Sequence, residues 1–191
     1  MGVMPMARSI LLPLLALAVP AAAAEITVHA TRDGEVLEVV AVAEFEGNIT
    51  RTWQVLTDYG RIAEFVPSME MSRIVSRERN SAVVEQKGEA RMLFFSYPIN
   101  LRLAVTEYPY ERIESRAIGG NFRELRGAYA LEAREGRIKL RYTGRLVPDF
   151  FIPPLIGTLV LRRNVEETFR AMVNEIERRH REPAKPEKRD P

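Results

Sequence analysis

Few residues in this chain have types and spacing that support chemistry. There are two histidines and no cysteine in 191 residues. His29 falls in an alternating apolar–polar run and His180 at the end of a helical one, and neither has a second histidine near it. Metal ligation and histidine acid–base work are therefore not expected. Without cysteine there can be no thiolate nucleophile, thiolate metal site, disulfide or lipoprotein anchor. No G-x-S-x-G, Walker A or G-x-G-x-x-G pattern occurs, and Gly119-Gly120-Asn121 reads as a bulge or loop. The carboxylates sit almost wholly on the polar sides of alternating segments, next to arginines, as in a solvated face. What remains is a set of tyrosines on apolar faces, led by Tyr129 and Tyr142, which can orient a ligand by hydrogen bonds.

These side chains must be positioned by a long helix and the strands before it. From Leu155 to about Arg181, apolar residues recur at Leu155, Leu159, Leu161, Val165, Phe169, Met172, Val173 and Ile176, the spacing of a buried helix face. Glu166 with Arg170 and Glu175 with Arg179 stand at the favourable i,i+4 spacing. Pro153 and Pro154 precede the helix and Pro183 follows it. At 1.5 Å per residue the helix is about 40 Å long, and it needs a sheet to cover its stripe.

The sheet is legible upstream. Ile26 to Val28 and Val36 to Phe45 flank Asp33-Gly34 as a hairpin, with Leu37, Val39, Ala41, Ala43 and Phe45 on one side. The period then changes. Thr50 is placed to cap a short helix carrying Trp53, Val55 and Leu56, and Asp58 a second with Ile62, Phe65 and Val66, stopped by Pro67. From Met69 to Val147 alternation dominates, with turns at Asn80-Ser81, Tyr108 to Glu111 and Glu135-Gly136. Short connections imply an antiparallel meander with one wet and one dry face. The dry face mixes aromatics with Ala41, Ala43, Gly88, Ala90, Ala117, Gly119, Gly127 and Gly144. Two outcomes follow: a curved sheet that leaves a cavity under the helix, or a helix that packs into the small positions and fills them.

Composition is that of one globular domain, with 46% hydrophobic and 28% charged residues. Basic and acidic residues number 28 and 26, so no global field attracts nucleic acid, and none is expected as a partner. A stripe of Lys139, Arg141 and Arg145 beside Arg134 and Arg137 is open to neutralisation by nearby glutamates. Residues 1–24 read as a signal peptide: Arg8, an apolar run from Ile10 to Val19, and Ala22-Ala23-Ala24 before Glu25. Cleavage after Ala24 would export the protein to the periplasm, and retention would leave an N-terminal anchor. Residues 25–181 form the folded domain. Residues 182–191, with three prolines, read as a disordered tail.

Three stretches resemble one family in order and spacing. They are Val55 to Tyr59 running on to Glu64-Phe65-Val66-Pro67; Phe122-Arg123-Glu124-Leu125-Arg126-Gly127 with Tyr129; and Met172-Val173 with Glu177 and Arg179. Over roughly Val36 to Arg181 the chain resembles the START-like polyketide cyclase/dehydrase (SRPBCC) superfamily, closest to its coenzyme Q-binding and ribosome-association toxin branch. Tyr129 stands where that branch has tryptophan. The resemblance implies an α+β helix-grip fold, START/Bet v 1-like, in which a curved antiparallel sheet wraps a long C-terminal helix, with two short helices after the first long strand. It also implies a hydrophobic pocket for a lipid, quinone or polycyclic compound, with no shared catalytic constellation. An exported protein does not meet ribosomes, so the leader argues against ribosome association.

The expected ligand wall comprises Trp53, Tyr59, Phe65, Phe94, Tyr97, Leu101, Phe122, Tyr129, Tyr142, Phe151, Val165, Phe169 and Met172. No catalytic residue, cofactor or metal is assigned, and a monomer is expected. Phe150 to Ile156 carries no charge and reads as a lid or gate, with Phe150-Phe151 able to touch a membrane transiently while ligand passes. Two other readings stand: a cyclase or hydratase using pocket tyrosines and a carboxylate, which needs an ionisable group on the dry face, and a protein-binding module without a ligand.

Overall fold

The computed structural model describes residues 24–91, 96–153 and 156–182. Alternation becomes eight strands: β1 (Glu25–Asp33), β2 (Val36–Glu46), β3 (Met69–Glu78), β4 (Ser81–Arg91), β5 (Ser96–Tyr108), β6 (Arg112–Gly120), β7 (Phe122–Arg134) and β8 (Arg137–Pro148). They form one antiparallel sheet in the order β1-β2-β8-β7-β6-β5-β4-β3. Strands β3 to β8 follow one another as a meander, and the pairing of β2 with β8 brings the first long strand beside the last. At the β7–β8 turn, Glu135 and Gly136 both have positive φ (51° and 78°), the conformation whose twist suits a two-residue hairpin. Gly120 ends β6 at φ 117°, where a Cβ would stand 2.0 Å from the Asn100 carbonyl oxygen, so only glycine fits this bulge.

Between β2 and β3 lie α1 (Ile49–Leu56), a 3-10 turn at Tyr59–Arg61 and α2 (Ile62–Phe65). The cap of α1 is Asn48 rather than Thr50: its Oδ1 accepts from the Thr50 and Arg51 amides at 2.8 and 3.2 Å. Asp58 makes no capping bond. Its carboxylate instead meets Arg179 Nη1 at 2.9 Å, tying this segment to the last helix. Trp53, Val55, Leu56, Tyr59 and Val66 are buried, so the short helices close one end of the sheet.

The last helix, α3, spans Gly157–Arg181. It starts two residues after Leu155, which lies outside the described residues, and is about 37 Å long. Phe169, Met172, Val173 and Ile176 are buried as expected, but Leu159 is 46% exposed. The inward positions of the first turns are Gly157, Val160, Leu161 and Asn164. A glycine and an asparagine on that face break the apolar spacing, which is why counting apolar residues misplaced it. Both expected helix pairs form, Arg170 with Glu166 at 3.0 Å and Arg179 with Glu175 at 2.6 Å.

Pairing sets the dry face out in cross-strand rows. One runs Ala41, Tyr142, Tyr129, Ile113, Glu107; the next Val39, Gly144, Gly127, Ser115, Val105, Ala82; the next Leu37, Leu146, Leu125. A bulge between Ile74 and Ser76 in β3 puts Arg77 opposite Ala82, on the same face.

Candidate functional site

Aromatic side chains gather in the middle of the dry face, where Tyr129 and Tyr142 are partly buried. Tyr129 and Tyr142 lie 4.7 Å apart between ring centroids, and Phe169 of α3 stands 6.0 and 6.2 Å from them. The Tyr129 hydroxyl donates a weak, 4.0 Å contact to the Met172 sulfur. Tyr142 leans along β8 over the paired glycines. A Cβ at either Gly127 or Gly144 would stand 2.8 Å from its hydroxyl oxygen, so larger residues there would displace the ring. The glycines thus make room for the Tyr142 ring. Burial pushes the Tyr142 hydroxyl up to about 12 and raises Tyr129 as well, so both stay protonated at neutral pH and act as hydrogen-bond donors.

An apolar cavity of about 190 Å³ remains under the first turns of α3. Leu37 and Leu146 form one wall, Gly88, Ile99 and Leu101 another, and Val160, Leu161 and Gly157 the roof. On its outer side stand Phe150 and Ile152, which follow β8. Phe150 stacks on Tyr97 at 3.8 Å and meets Phe122 edge-on at 5.7 Å. Arg32 holds the segment by donating to the Ile152 carbonyl at 3.0 Å. Asn164 pairs with the backbone of Arg91 as a strand neighbour would, accepting from its amide and donating to its carbonyl, each at 3.2 Å. The helix is thereby fixed to the end of β4 beside the cavity.

The opposite end of the dry face carries a buried charge, which the expectation of nearly uncharged dry faces missed. Glu107 is 7% exposed and bonds Arg77 at 2.6 Å. The Arg77 guanidinium lies 5.6 Å from the Tyr59 ring. The buried Tyr59 hydroxyl has no hydrogen-bond partner among the described residues. Burial first, and then the Glu107 charge, raise its pKa. Period-two counting carried past Leu103 and Val105 arrives at Glu107, so this residue was legible; Arg77 was not, because the bulge decides its side.

The expected wall residues therefore divide. Leu101 and Phe122 line the cavity, and Tyr97 backs Phe150 at its edge. Phe169 and Met172 are buried at the centre, with Tyr129, Tyr142 and Val165 partly buried against them. Trp53 contacts Tyr110 at 5.6 Å, Tyr59 lies beside Arg77, and Phe65 lies under Arg179 at 5.9 Å, all at the far end. Phe151 is 79% exposed; its neighbour Phe150 holds the inward place expected of it. Phe94 lies outside the described residues, as do residues 1–23 of the expected leader and 183–191 of the expected tail. Glu182, the first tail residue, is paired with Arg178.

A second, larger concavity among the described residues, about 840 Å³, is an open groove across the outer face. Its charges are mixed: Arg145 meets Glu38 at 2.8 Å and Glu124 at 3.5 Å, and Lys139 further along β8 meets Glu44 at 3.0 Å, so these members of the basic stripe are neutralised. Among the described residues no group of three potential metal ligands occurs, and no helix is long and apolar enough to cross a membrane.

A curved eight-stranded antiparallel sheet gripping a C-terminal helix, with short helices at one end and an apolar cavity under the helix, defines a helix-grip protein of the START/Bet v 1-like class. The chain belongs to the family of polyketide cyclase / dehydrase and lipid transport proteins, which it matches over residues 48–177. Solved structures agree on the fold. The aromatase/cyclase Zhui from a Streptomyces species has a TM-score of 0.66 at 18% identity, covering 76% of this chain and 96% of that one. A STAR-related lipid transfer protein from Xanthomonas axonopodis has a TM-score of 0.68 at 12% identity, covering 80% and 93%. A START superfamily protein from Mycobacterium smegmatis has a TM-score of 0.63 at 14% identity, covering 74% and 97%. No curated protein sequence matches this chain significantly.

Proposed function

We propose that the protein is an exported, monomeric carrier for a hydrophobic small molecule, a lipid or a quinone of the kind bound by the coenzyme Q branch. The observation that carries this is the apolar cavity under α3, with the aromatic side chain of Phe150 at its mouth. Its volume of about 190 Å³ is below the roughly 300–1,000 Å³ of drug-sized sites, so part of a ligand would stay outside unless Phe150 swings away. The exposed Phe151 beside this closure is suited to touch a membrane while ligand passes. The family's lipid-transport members and the Xanthomonas lipid transfer neighbour support the reading. The test is native mass spectrometry of protein purified from the exported fraction, with extraction and identification of what it holds. A co-purifying lipid or quinone is expected. Protein that is empty and takes up neither a fatty acid nor a short-chain quinone overturns the reading.

A cyclase or hydratase is the second reading. It draws on the aromatase/cyclase neighbour and on the buried Glu107, which shares a cross-strand row with Tyr129 and Tyr142. It is the weaker one, because Glu107 is engaged by Arg77 and lies away from the cavity.

A further inference from the structure

One polar side chain on the wall of the cavity under α3 keeps an acceptor without a partner. In β4 the residues in phase with Gln86 are Ala82, Val84 and Gly88, all buried on the dry face. Gln86 stands among them, partly buried, in the cross-strand row Ser72, Gln86, Leu101, and both it and Leu101 line the cavity. Its Nε2 makes a long bond of 3.4 Å to the Ser72 Oγ, and among the described residues its Oε1 accepts no hydrogen bond. The other polar side chains around the cavity are engaged, exposed or indifferent. Asn164 accepts from the Arg91 amide through Oδ1 and donates through Nδ2 to the Arg91 and Val160 carbonyls. Glu89 is held by Arg91 at 2.7 Å, and Lys87 is exposed. The Ser68 hydroxyl can turn either to donate or to accept, so it does not discriminate.

We propose that Gln86 orients and selects the ligand. Its Oε1 accepts a hydrogen bond from a hydroxyl on an otherwise apolar molecule, so an alcohol or phenol is preferred over an ether or quinone of the same shape. This rests on the carrier reading above and narrows it. Apolar sites of this kind fix their ligands through a few placed polar groups. A ligand body in the cavity keeps water from Gln86, and a carbonyl oxygen without water or a donor costs free energy. A hydroxyl on the ligand removes that cost, whereas an oxygen that can only accept faces Oε1 without bonding it. Leaving such a group unpaired discriminates more strongly than an apolar wall does against one methylene.

The experiment compares 4-propylphenol with 4-propylanisole, which share a ring and chain and differ by a methyl cap on the oxygen. A single substituted ring suits a cavity of about 190 Å³, since an apolar cavity of roughly 150 Å³ holds benzene. Titration calorimetry is run on the wild-type chain, Gln86→Met and Gln86→Leu. The wild type should bind the phenol at least tenfold more tightly than the ether. Gln86→Met keeps the length of the side chain but has no carbonyl, and should bring that preference below threefold, mainly by weakening the phenol. Gln86→Leu should act in the same direction and serves if the methionine variant does not fold. A role confined to joining β3 to β4 through Ser72 would lower the melting temperature and leave the preference unchanged. Equal binding of the two probes by the wild type, tighter binding of the ether, or a preference that the folded variants keep overturns the inference and leaves the carrier reading standing. Binding of neither probe also overturns it, and the carrier reading falls as well only if a fatty acid and a short-chain quinone are not taken up either.

Discussion

Glu175 shows how a charged residue on the buried side of α3 is made tolerable. It is 8% exposed and is gripped by Arg178 at 2.7 Å and Arg179 at 2.6 Å, while Arg179 also reaches Asp58. The hydrogen bond from Arg178, then that from Arg179, hold its carboxyl down at about 2 against an ordinary value of 4.5. A carboxylate whose folded-state pKa is depressed contributes stability that is complete above about 4.5 and is lost as pH falls toward 2. Glu175→Ala should cost about 2 kcal/mol at pH 7, since Arg179 keeps Asp58 but loses its second partner. The variant should also lose less stability than the parent between pH 4.5 and 2. Urea unfolding of both proteins across that range checks this, and parallel curves would mean that Glu175 adds nothing.

The segment between β8 and α3 divides its two aromatics between different tasks. Phe150 packs on Tyr97 and Phe122, whereas Phe151 is 79% exposed. Phe150→Ser should lower stability by about 2 kcal/mol, through lost aromatic contacts and a larger void. Phe151→Ser should stay within about 0.5 kcal/mol of the parent, as surface substitutions do, yet slow ligand transfer to phospholipid vesicles. Urea melts and a vesicle transfer assay separate the two. If Phe151→Ser transfers ligand at the parent rate, the exposed ring has no membrane role. Closures of this kind come from the low-stability end of a fold.

For the whole molecule, the sheet begins at Glu25, the residue after the expected cleavage site, and Ala24 is only partly buried against the core. Among the described residues every strand pairing is made by residues 25 and above. If, as proposed, the leader is dispensable to the fold, a chain starting at Glu25 should have the melting temperature of the protein purified from cells. On the proposal of export, intact-mass analysis of the protein purified from cells should show Glu25 as its first residue. A mass that includes residues 1–24 would show that the leader is retained as an anchor.

Periodicity alone made the sheet and the C-terminal helix readable, because side-chain alternation and three-and-four spacing follow from backbone geometry and need no partner. The hairpin glycines, the short helices before Pro67 and the C-terminal half of α3 were legible for the same reason. Which small residues leave space was not legible, because that depends on what leans over them. Gly127 and Gly144 could have floored a pocket or received a packed helix, and only the position of Tyr142 shows its ring over them. The inward turn of Phe150 and outward turn of Phe151 depend on Tyr97 and Phe122, which lie about 30 to 50 residues away in sequence. The buried Arg77–Glu107 pair needed a bulge that changes the facing of β3 partway along. Sequence by itself determined the elements and the class of fold, since these are local in origin. Only the tertiary structure decided where the cavity lies and how deep it runs, since volume is what remains after distant side chains have packed.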